Sequence, residues 1–149
     1  MKTVKILVVD DSLTMRRIIM NALKAIGYEH FLEAANGQEA LRLILDEGCD
    51  FIIVDWNMPV MTGVELANWV RNNGFFRQLP ILMITTKSGT EDIHEALGAD
   101  IDDYIVKPFT PASLKEKMES ILQAKRTKLH HNEENTGSSV NMPGPGEYQ

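Results

Sequence analysis

Five short apolar runs, separated by stretches with helical spacing, constrain the fold of this 149-residue chain more than any other feature. The runs are mostly continuous rather than alternating, as expected for strands of a parallel sheet that are covered on both faces. They occupy residues 6–9, 30–32, 51–54, 81–84 and 104–106. Because strands that alternate with helices form a doubly wound sheet, the pattern predicts an α/β fold with a five-stranded parallel sheet and five helices.

Helix boundaries between these runs are predicted from capping signals. Three pairs have the spacing of a capping box, in which an N-cap side chain is followed three residues later by Glu. They are Asn36 with Glu39, Thr62 with Glu65, and Ser88 with Glu91. Thr110 followed by Pro111 predicts the start of the last helix, while Gly27 and Gly48 predict the ends of the first two.

Composition and charge exclude several classes of protein. The net charge of −6, with Arg16-Arg17 and Lys125-Arg126 as the only adjacent basic pairs, argues against a nucleic-acid partner. No apolar run has the roughly 18 residues needed to cross a membrane, and no signal peptide precedes the first strand. We therefore expect a cytoplasmic monomer with one domain at residues 1–126, followed by a polar, disordered tail at residues 127–149.

Polar residues follow four of the predicted strands. Asp10 and Asp11 follow the first strand, Asp55 the third, Thr85 ends the fourth, and Lys107 follows the fifth. Ligands of open α/β sheets bind outside the carboxyl ends of the strands, so these side chains are expected to converge. Each residue alone has an ordinary structural explanation, such as a turn aspartate or a solvated lysine. Their combination at one edge favours a functional site.

Three neighbouring carboxylates repel one another unless a cation holds them. Oxygen donors in small number suggest Mg²⁺, with Asp11 and Asp55 as direct ligands, Asp10 bound directly or through water, and a backbone carbonyl near Asn57. A carboxylate beside a metal ion can attack phosphorus, which would leave an aspartyl phosphate on Asp55. Lys107 and the Thr85 hydroxyl would then contact phosphoryl oxygens.

These motifs resemble the receiver domain of bacterial two-component response regulators. The resemblance rests on residues 7–12 (LVVDDS), residues 55–59 (DWNMP), Thr85 and residues 107–109 (KPF), and it extends over about residues 3–125. Receiver domains are an established example of the flavodoxin-like strand order 2-1-3-4-5, so the resemblance implies that order here.

The resemblance also implies residue roles. Asp55 would accept a phosphoryl group from a histidine kinase, in a reaction that depends on Mg²⁺ bound by Asp10, Asp11, Asp55 and the Asn57 carbonyl. Lys107 would contact the phosphoryl group and precede a cis proline. Thr85 and Tyr104 would form the switch pair, in which the hydroxyl moves toward the phosphate and the ring turns inward.

The implied output surface comprises the fourth helix, fifth strand and fifth helix, and it carries Ile93, Tyr104, Lys115 and Lys117. Because no output domain follows, we expect the protein to signal by binding a partner, with a flagellar switch protein favoured. The alternative is a phosphorelay intermediate or phosphate sink.

Three residues depart from the usual receiver pattern. Asp100 stands where a glycine is common, and Thr86 where a smaller alanine is common. Lys87 follows Thr86. The resemblance implies that Lys87, Thr86 and Asn57 occupy positions that help set the lifetime of the phosphorylated state. We expect the bulk of Thr86 to slow hydrolysis.

Two other classes of protein are disfavoured. A phosphatase with an aspartate nucleophile needs a second carboxylate two residues later, where this chain has Asn57. A flavodoxin-like cofactor binder needs a phosphate loop after the first strand, where Asp10 and Asp11 would repel phosphate. We therefore expect no enzymatic activity beyond self-phosphorylation and self-dephosphorylation.

Overall fold

The computed structural model describes residues 2–137 and contains five strands that alternate with five helices. The strands are β1 (Lys2–Val9), β2 (Tyr28–Ala34), β3 (Phe51–Val54), β4 (Ile81–Thr85) and β5 (Asp103–Val106). The helices are α1 (Leu13–Ala25), α2 (Gly37–Asp46), α3 (Gly63–Arg71), α4 (Thr90–Gly98) and α5 (Pro111–Gly137). The predicted succession of strands and helices is confirmed.

All strands are parallel and lie in the order β2-β1-β3-β4-β5, as predicted. The central strands β1, β3 and β4 therefore end side by side. In register, Val9 of β1 pairs with Val54 of β3, and Val54 pairs with Met83 of β4. This register brings the residues that follow β1 and β3 to one edge of the sheet.

Alternate residues along each strand face two separate hydrophobic cores. Leu7 and Val9 of β1 pack with residues of α2, α3 and α4, whereas Ile6 and Val8 pack with residues of α1 and α5. Because both faces of the sheet are covered, β3 and β4 are buried along their whole length. This explains why the apolar runs in the sequence are continuous.

Most of the predicted helix boundaries are confirmed. Thr62 and Glu65 form a reciprocal capping box at α3, and Asn36 accepts a hydrogen bond from the Glu39 backbone at α2. Gly27 follows α1 with a φ of 105°, a conformation that favours glycine.

The capping prediction for α4 is wrong. Within the described residues, the N-cap residue of α4 is Gly89 and no side chain caps the helix. Ser88, the N-cap residue that the sequence predicts, lies one residue before this position. Two acidic residues, Glu91 and Asp92, occupy the first turn instead, where their charges interact favourably with the helix dipole.

Helix α5 runs past residue 126, so residues 127–137 are helical and the prediction of a disordered tail is wrong for them. The segment contains neither proline nor glycine before Gly137, so nothing in it stops a helix that has already formed. Residues 138–149 of the predicted tail lie outside the described residues. No helix among those described has the length and apolarity that a membrane span requires.

Candidate functional site

The structure brings the predicted polar residues together at the carboxyl edge of the sheet. Asp10, Asp11 and Asp55 each offer a carboxylate oxygen within 4.8 Å of the other two. Asp10 is 1% exposed and Asp55 9% exposed, whereas Asp11 is open to solvent. We call this cluster, which is buried at Asp10 and Asp55 and exposed at Asp11, the acidic pocket.

Asp10 is held by groups from three parts of the chain. One carboxylate oxygen accepts a hydrogen bond from the Ser12 backbone N–H at 2.9 Å, and the other accepts one from Lys107 Nζ at 3.1 Å. The backbone N–H of Asp10 donates to the Ala34 carbonyl at 3.1 Å. These contacts leave the Asp10 carboxylate a single orientation.

The groups around Asp55 shift the pKa of its carboxyl group in opposite directions. Burial raises the pKa of its carboxyl group above the ordinary value, and the neighbouring Asp10 carboxylate adds to the rise. The Thr85 hydroxyl, Lys107 at 3.8 Å and the Trp56 backbone N–H at 2.8 Å all favour the ionised form. A bound cation would further stabilise the carboxylate.

Thr85 ends β4 with its side chain fully buried beside Asp55. Although the hydroxyl is close enough to favour the ionised Asp55, Oγ1 is a buried side-chain atom with no direct hydrogen bond among the described residues. An unpartnered buried hydroxyl is unfavourable. The interaction of the Thr85 hydroxyl with Asp55 is therefore weak, and its hydrogen is available for a group that enters the pocket.

Tyr104 lies on β5, half-buried, and its hydroxyl donates a hydrogen bond to the Lys87 carbonyl in the β4–α4 loop. Burial raises the pKa of the Tyr104 phenol, with smaller contributions from the Asp92 and Asp55 carboxylates, which keeps the hydroxyl protonated. The Lys87 ammonium lies 4.7 Å from the centre of the Trp56 ring, a cation–π contact. The loop is thus tied to both β5 and the residue after Asp55.

The remaining predicted residues lie at the rim. The side chains of Asn57 and Thr86 are exposed. The peptide bond between Lys107 and Pro108 is cis, as expected from the resemblance. The Asn57 carbonyl as a metal ligand and the effect of Thr86 on hydrolysis stay predictions.

Sequence reasoning missed two residues that shape the pocket. A Cβ at Gly63 would lie 2.3 Å from the Asp55 carbonyl oxygen, so only glycine allows α3 to approach this closely. Arg16 on α1 donates a hydrogen bond to the Asp10 carbonyl. Glycine at the first position of α3 was a visible signal, whereas nothing in the sequence connects Arg16 to Asp10.

The donor set fits Mg²⁺. Two buried carboxylates and one exposed carboxylate supply hard oxygen ligands, and the exposed side, at Asp11, leaves room for water and for a phosphoryl oxygen. Lys107 already supplies one positive charge, but it contacts only Asp10 and Asp55. A divalent cation is the group that the remaining negative charge favours.

Comparison with known proteins identifies the family. Residues 6–119 match the model of the response regulator receiver domain. The chain belongs to this family. The same stretch contains all the residues of the pocket, so the family assignment and the geometry of the site agree.

The relatives of this receiver domain include several chemotaxis proteins. It is 52% identical over 120 residues to chemotaxis protein CheY1 of Helicobacter pylori, a match that covers 79% of this chain and 96% of the relative. It is 45% identical over 122 residues to CheY-3 of Vibrio cholerae, covering 82% and 94%.

Solved structures show the same fold. Chemotaxis response regulator CheY4 of Vibrio cholerae aligns with a TM-score of 0.74 at 37% identity, covering 80% of this chain and 99% of the other. A putative response regulator of Chloroflexus aurantiacus aligns with a TM-score of 0.77 at 33% identity, covering 82% and 99%. The receiver fold of this chain is therefore established independently of its motifs.

Proposed function

We propose that this receiver is a phosphorylation-activated switch that accepts a phosphoryl group on Asp55 from a histidine kinase and signals by binding a partner protein. The observation that carries the proposal is the position of Asp55, whose carboxylate lies among two further carboxylates, the Lys107 ammonium and the buried Thr85 hydroxyl. The likeness to chemotaxis proteins supports control of a flagellar motor as the output.

The reaction begins with attack by an Asp55 carboxylate oxygen on the phosphorus of a phosphohistidine. The new O–P bond forms as the P–N bond breaks, and the electron pair of that bond returns to the histidine ring of the kinase. The Trp56 backbone N–H holds one oxygen of Asp55, which leaves the other free to react. Asp55 therefore enters the reaction already oriented.

Asp10, Asp11, Asp55 and the Asn57 carbonyl would hold Mg²⁺. When bound, the cation neutralises charge on the phosphoryl oxygens as the carboxylate approaches. Lys107 lies within reach of both buried carboxylates and provides a second positive charge for the phosphoryl group. The Thr85 hydroxyl, which has no direct hydrogen bond among the described residues, donates to a phosphoryl oxygen.

The signal passes from Thr85 to Tyr104 and the surface of α4, β5 and α5. In the resting structure the Tyr104 hydroxyl donates to the Lys87 carbonyl. When Thr85 moves toward the phosphoryl group, it leaves space into which the Tyr104 ring turns. The surface carries Ile93, Lys115 and Lys117 for partner binding. Phosphorylation thus shifts the population of a two-state surface.

The acceptor assignment is tested by intact-mass spectrometry and Trp56 fluorescence. With Mg²⁺ and acetyl phosphate, the protein should gain about 80 Da for one phosphoryl group and change its tryptophan emission. Asp55→Asn should abolish both changes, whereas Asp46→Asn, an exposed carboxylate at the end of α2, should abolish neither. An unchanged adduct on Asp55→Asn would contradict the assignment.

The partner class is tested by capture with Mg²⁺ and beryllofluoride, a mimic of the phosphoryl group. A flagellar switch protein that binds only the activated form supports motor control. Capture of a histidine phosphotransfer domain instead would show the alternative, a phosphorelay or phosphate-sink role. We propose that the protein acts in the cytoplasm as a monomer. A phosphatase function would require sustained turnover of phosphate esters.

A further inference from the structure

Arg16 joins the acidic pocket to the neighbouring strand. It is the fourth residue of α1, and its guanidinium donates one hydrogen bond to the Asp10 carbonyl at 2.8 Å and another to Glu33 Oε1 on β2 at 3.0 Å. The Arg16 side chain is 14% exposed and its bond to the Asp10 carbonyl is part-buried, whereas its bond to Glu33, whose side chain is 42% exposed, lies at the surface. Two nitrogens of the planar guanidinium thus donate to one acceptor that precedes α1 and to another on β2, and a lysine ammonium lacks this fixed pair of donors.

This contact completes the fixation of Asp10. The carboxylate is bound by the Ser12 N–H and Lys107, and the backbone N–H by the Ala34 carbonyl. The carbonyl is the remaining polar group of Asp10, and Arg16 binds it. Each polar group of Asp10, which directly follows β1, is therefore hydrogen-bonded.

We infer that Arg16 is a positioning residue for the cation site, and that Glu33 orients it. The inference rests on the proposed function, because it assumes that the three carboxylates bind Mg²⁺. Arg16 touches none of the expected ligand oxygens but holds the backbone from which Asp10 projects. Groups that orient metal ligands in this way strongly affect metal affinity.

The charge of Arg16 does not itself favour the cation, since a positive group near the pocket repels Mg²⁺. Glu33 pairs with the guanidinium and offsets this charge. The useful contribution of Arg16 is thus its hydrogen bond to Asp10. Arg17 offers a matched control, because it carries the same charge on the next residue of α1 and its side chain is exposed.

The test is a Mg²⁺ titration of the full chain in which the change in Trp56 fluorescence reports binding. The wild-type protein is compared with four variants: Arg16→Gln, Arg16→Lys, Glu33→Ala and Arg17→Gln. We expect Arg16→Gln to weaken Mg²⁺ binding about tenfold, and Arg16→Lys and Glu33→Ala to weaken it less. Arg17→Gln should change the affinity by less than about twofold, because exposed charges are screened.

A second readout separates positioning from general loss of structure. The rate of phosphorylation by acetyl phosphate should return to near the wild-type rate in Arg16→Gln once Mg²⁺ is saturating, which damage to the fold would not allow. Should Arg16→Gln fail to fold, as judged by circular dichroism, Arg16→Lys carries the same test. Equal Mg²⁺ affinities for the Arg16 and Arg17 variants would overturn the inference. A wild-type protein that shows no Mg²⁺ response at all would overturn the metal site and the inference together.

Discussion

The Lys107 ammonium lies 3.1 Å from a carboxylate oxygen of Asp10, although 97 residues separate the two in the chain. The pair is nearly enclosed, with 13% of the Lys107 side chain and 2% of the Asp10 side chain exposed. Because Lys107 also lies 3.8 Å from Asp55, it is the positive charge closest to both buried carboxylates.

Replacing Lys107 should therefore destabilise the protein. Without Mg²⁺ at neutral pH, Lys107→Met leaves Asp10 buried without its cation, and we expect the free energy of unfolding to fall by about 1–3 kcal/mol. Urea denaturation measures this, and saturating Mg²⁺ should recover part of the loss. Lys117→Met removes a half-exposed ion pair with Asp103 and should cost less than about 1 kcal/mol. Equal losses in the two variants would contradict the special role of Lys107.

Asp55 should make stability depend on pH. Its pKa in the folded state is raised above the ordinary 3.8, chiefly by burial, so the folded protein binds the proton more tightly than the unfolded chain. Stability therefore decreases as pH rises from 3.8 through the folded-state pKa and stays lower above it. Asp55→Asn should raise the melting temperature at pH 7 without Mg²⁺, and the gain should vanish near pH 3. A constant gain at every pH would mean that titration of Asp55 is not its cause.

The Thr85 hydroxyl should matter for switching and not for stability. Thr85→Val keeps the shape of the side chain and removes a buried hydroxyl that has no direct hydrogen bond among the described residues but favours ionised Asp55, so the two effects oppose each other and the free energy of unfolding should change by less than about 1 kcal/mol. Capture of a partner in the presence of beryllofluoride should be lost in the same variant. A marked loss of stability would show that the hydroxyl has a bonding role in the resting state.

Thr86 should slow hydrolysis of the phosphorylated form. Its side chain is exposed at the rim of the pocket, where it can hinder an attacking water molecule. After removal of acetyl phosphate, the phosphoryl adduct on Thr86→Ala should decay faster than that on wild type. Ser88→Ala, an exposed residue of the same loop, serves as the control. Equal or slower decay of the Thr86→Ala adduct would reject the prediction.

Asp100, which departs from the common glycine, adopts a φ of 64° in the left-handed region. Arg71 donates to its carbonyl at 2.7 Å, while the exposed Asp100 carboxylate lies 3.8 Å from the Arg71 guanidinium and contributes little. Glycine tolerates this conformation and alanine does not. We expect Asp100→Gly to be more stable than Asp100→Ala by about 1 kcal/mol in thermal or urea unfolding. Identical stabilities would show that the backbone at this position is not strained.

Two wrong predictions show where local signals fail. Ser88 and Glu91 have capping-box spacing, but α4 begins after Gly89, so a spacing that is compatible with a cap does not choose between adjacent starts. Low apolar content predicts a disordered tail, yet residues 127–137 continue α5, because a helix that is already formed adds further turns without a new nucleation cost.

The order of strands and helices can be predicted from the sequence. Burial on both faces of the sheet requires continuous apolar runs, and the amphipathic stretches between them are helices that cover the sheet. The pocket residues can also be predicted, because the carboxyl ends of neighbouring parallel strands must meet at one edge. Three features follow from the packed structure alone: Arg16 binds the Asp10 carbonyl, Lys87 lies over Trp56, and the Thr85 hydroxyl makes no direct hydrogen bond within the described part of the chain. Such contacts depend on how side chains from separate elements are oriented once those elements pack, and no periodicity along the chain records that.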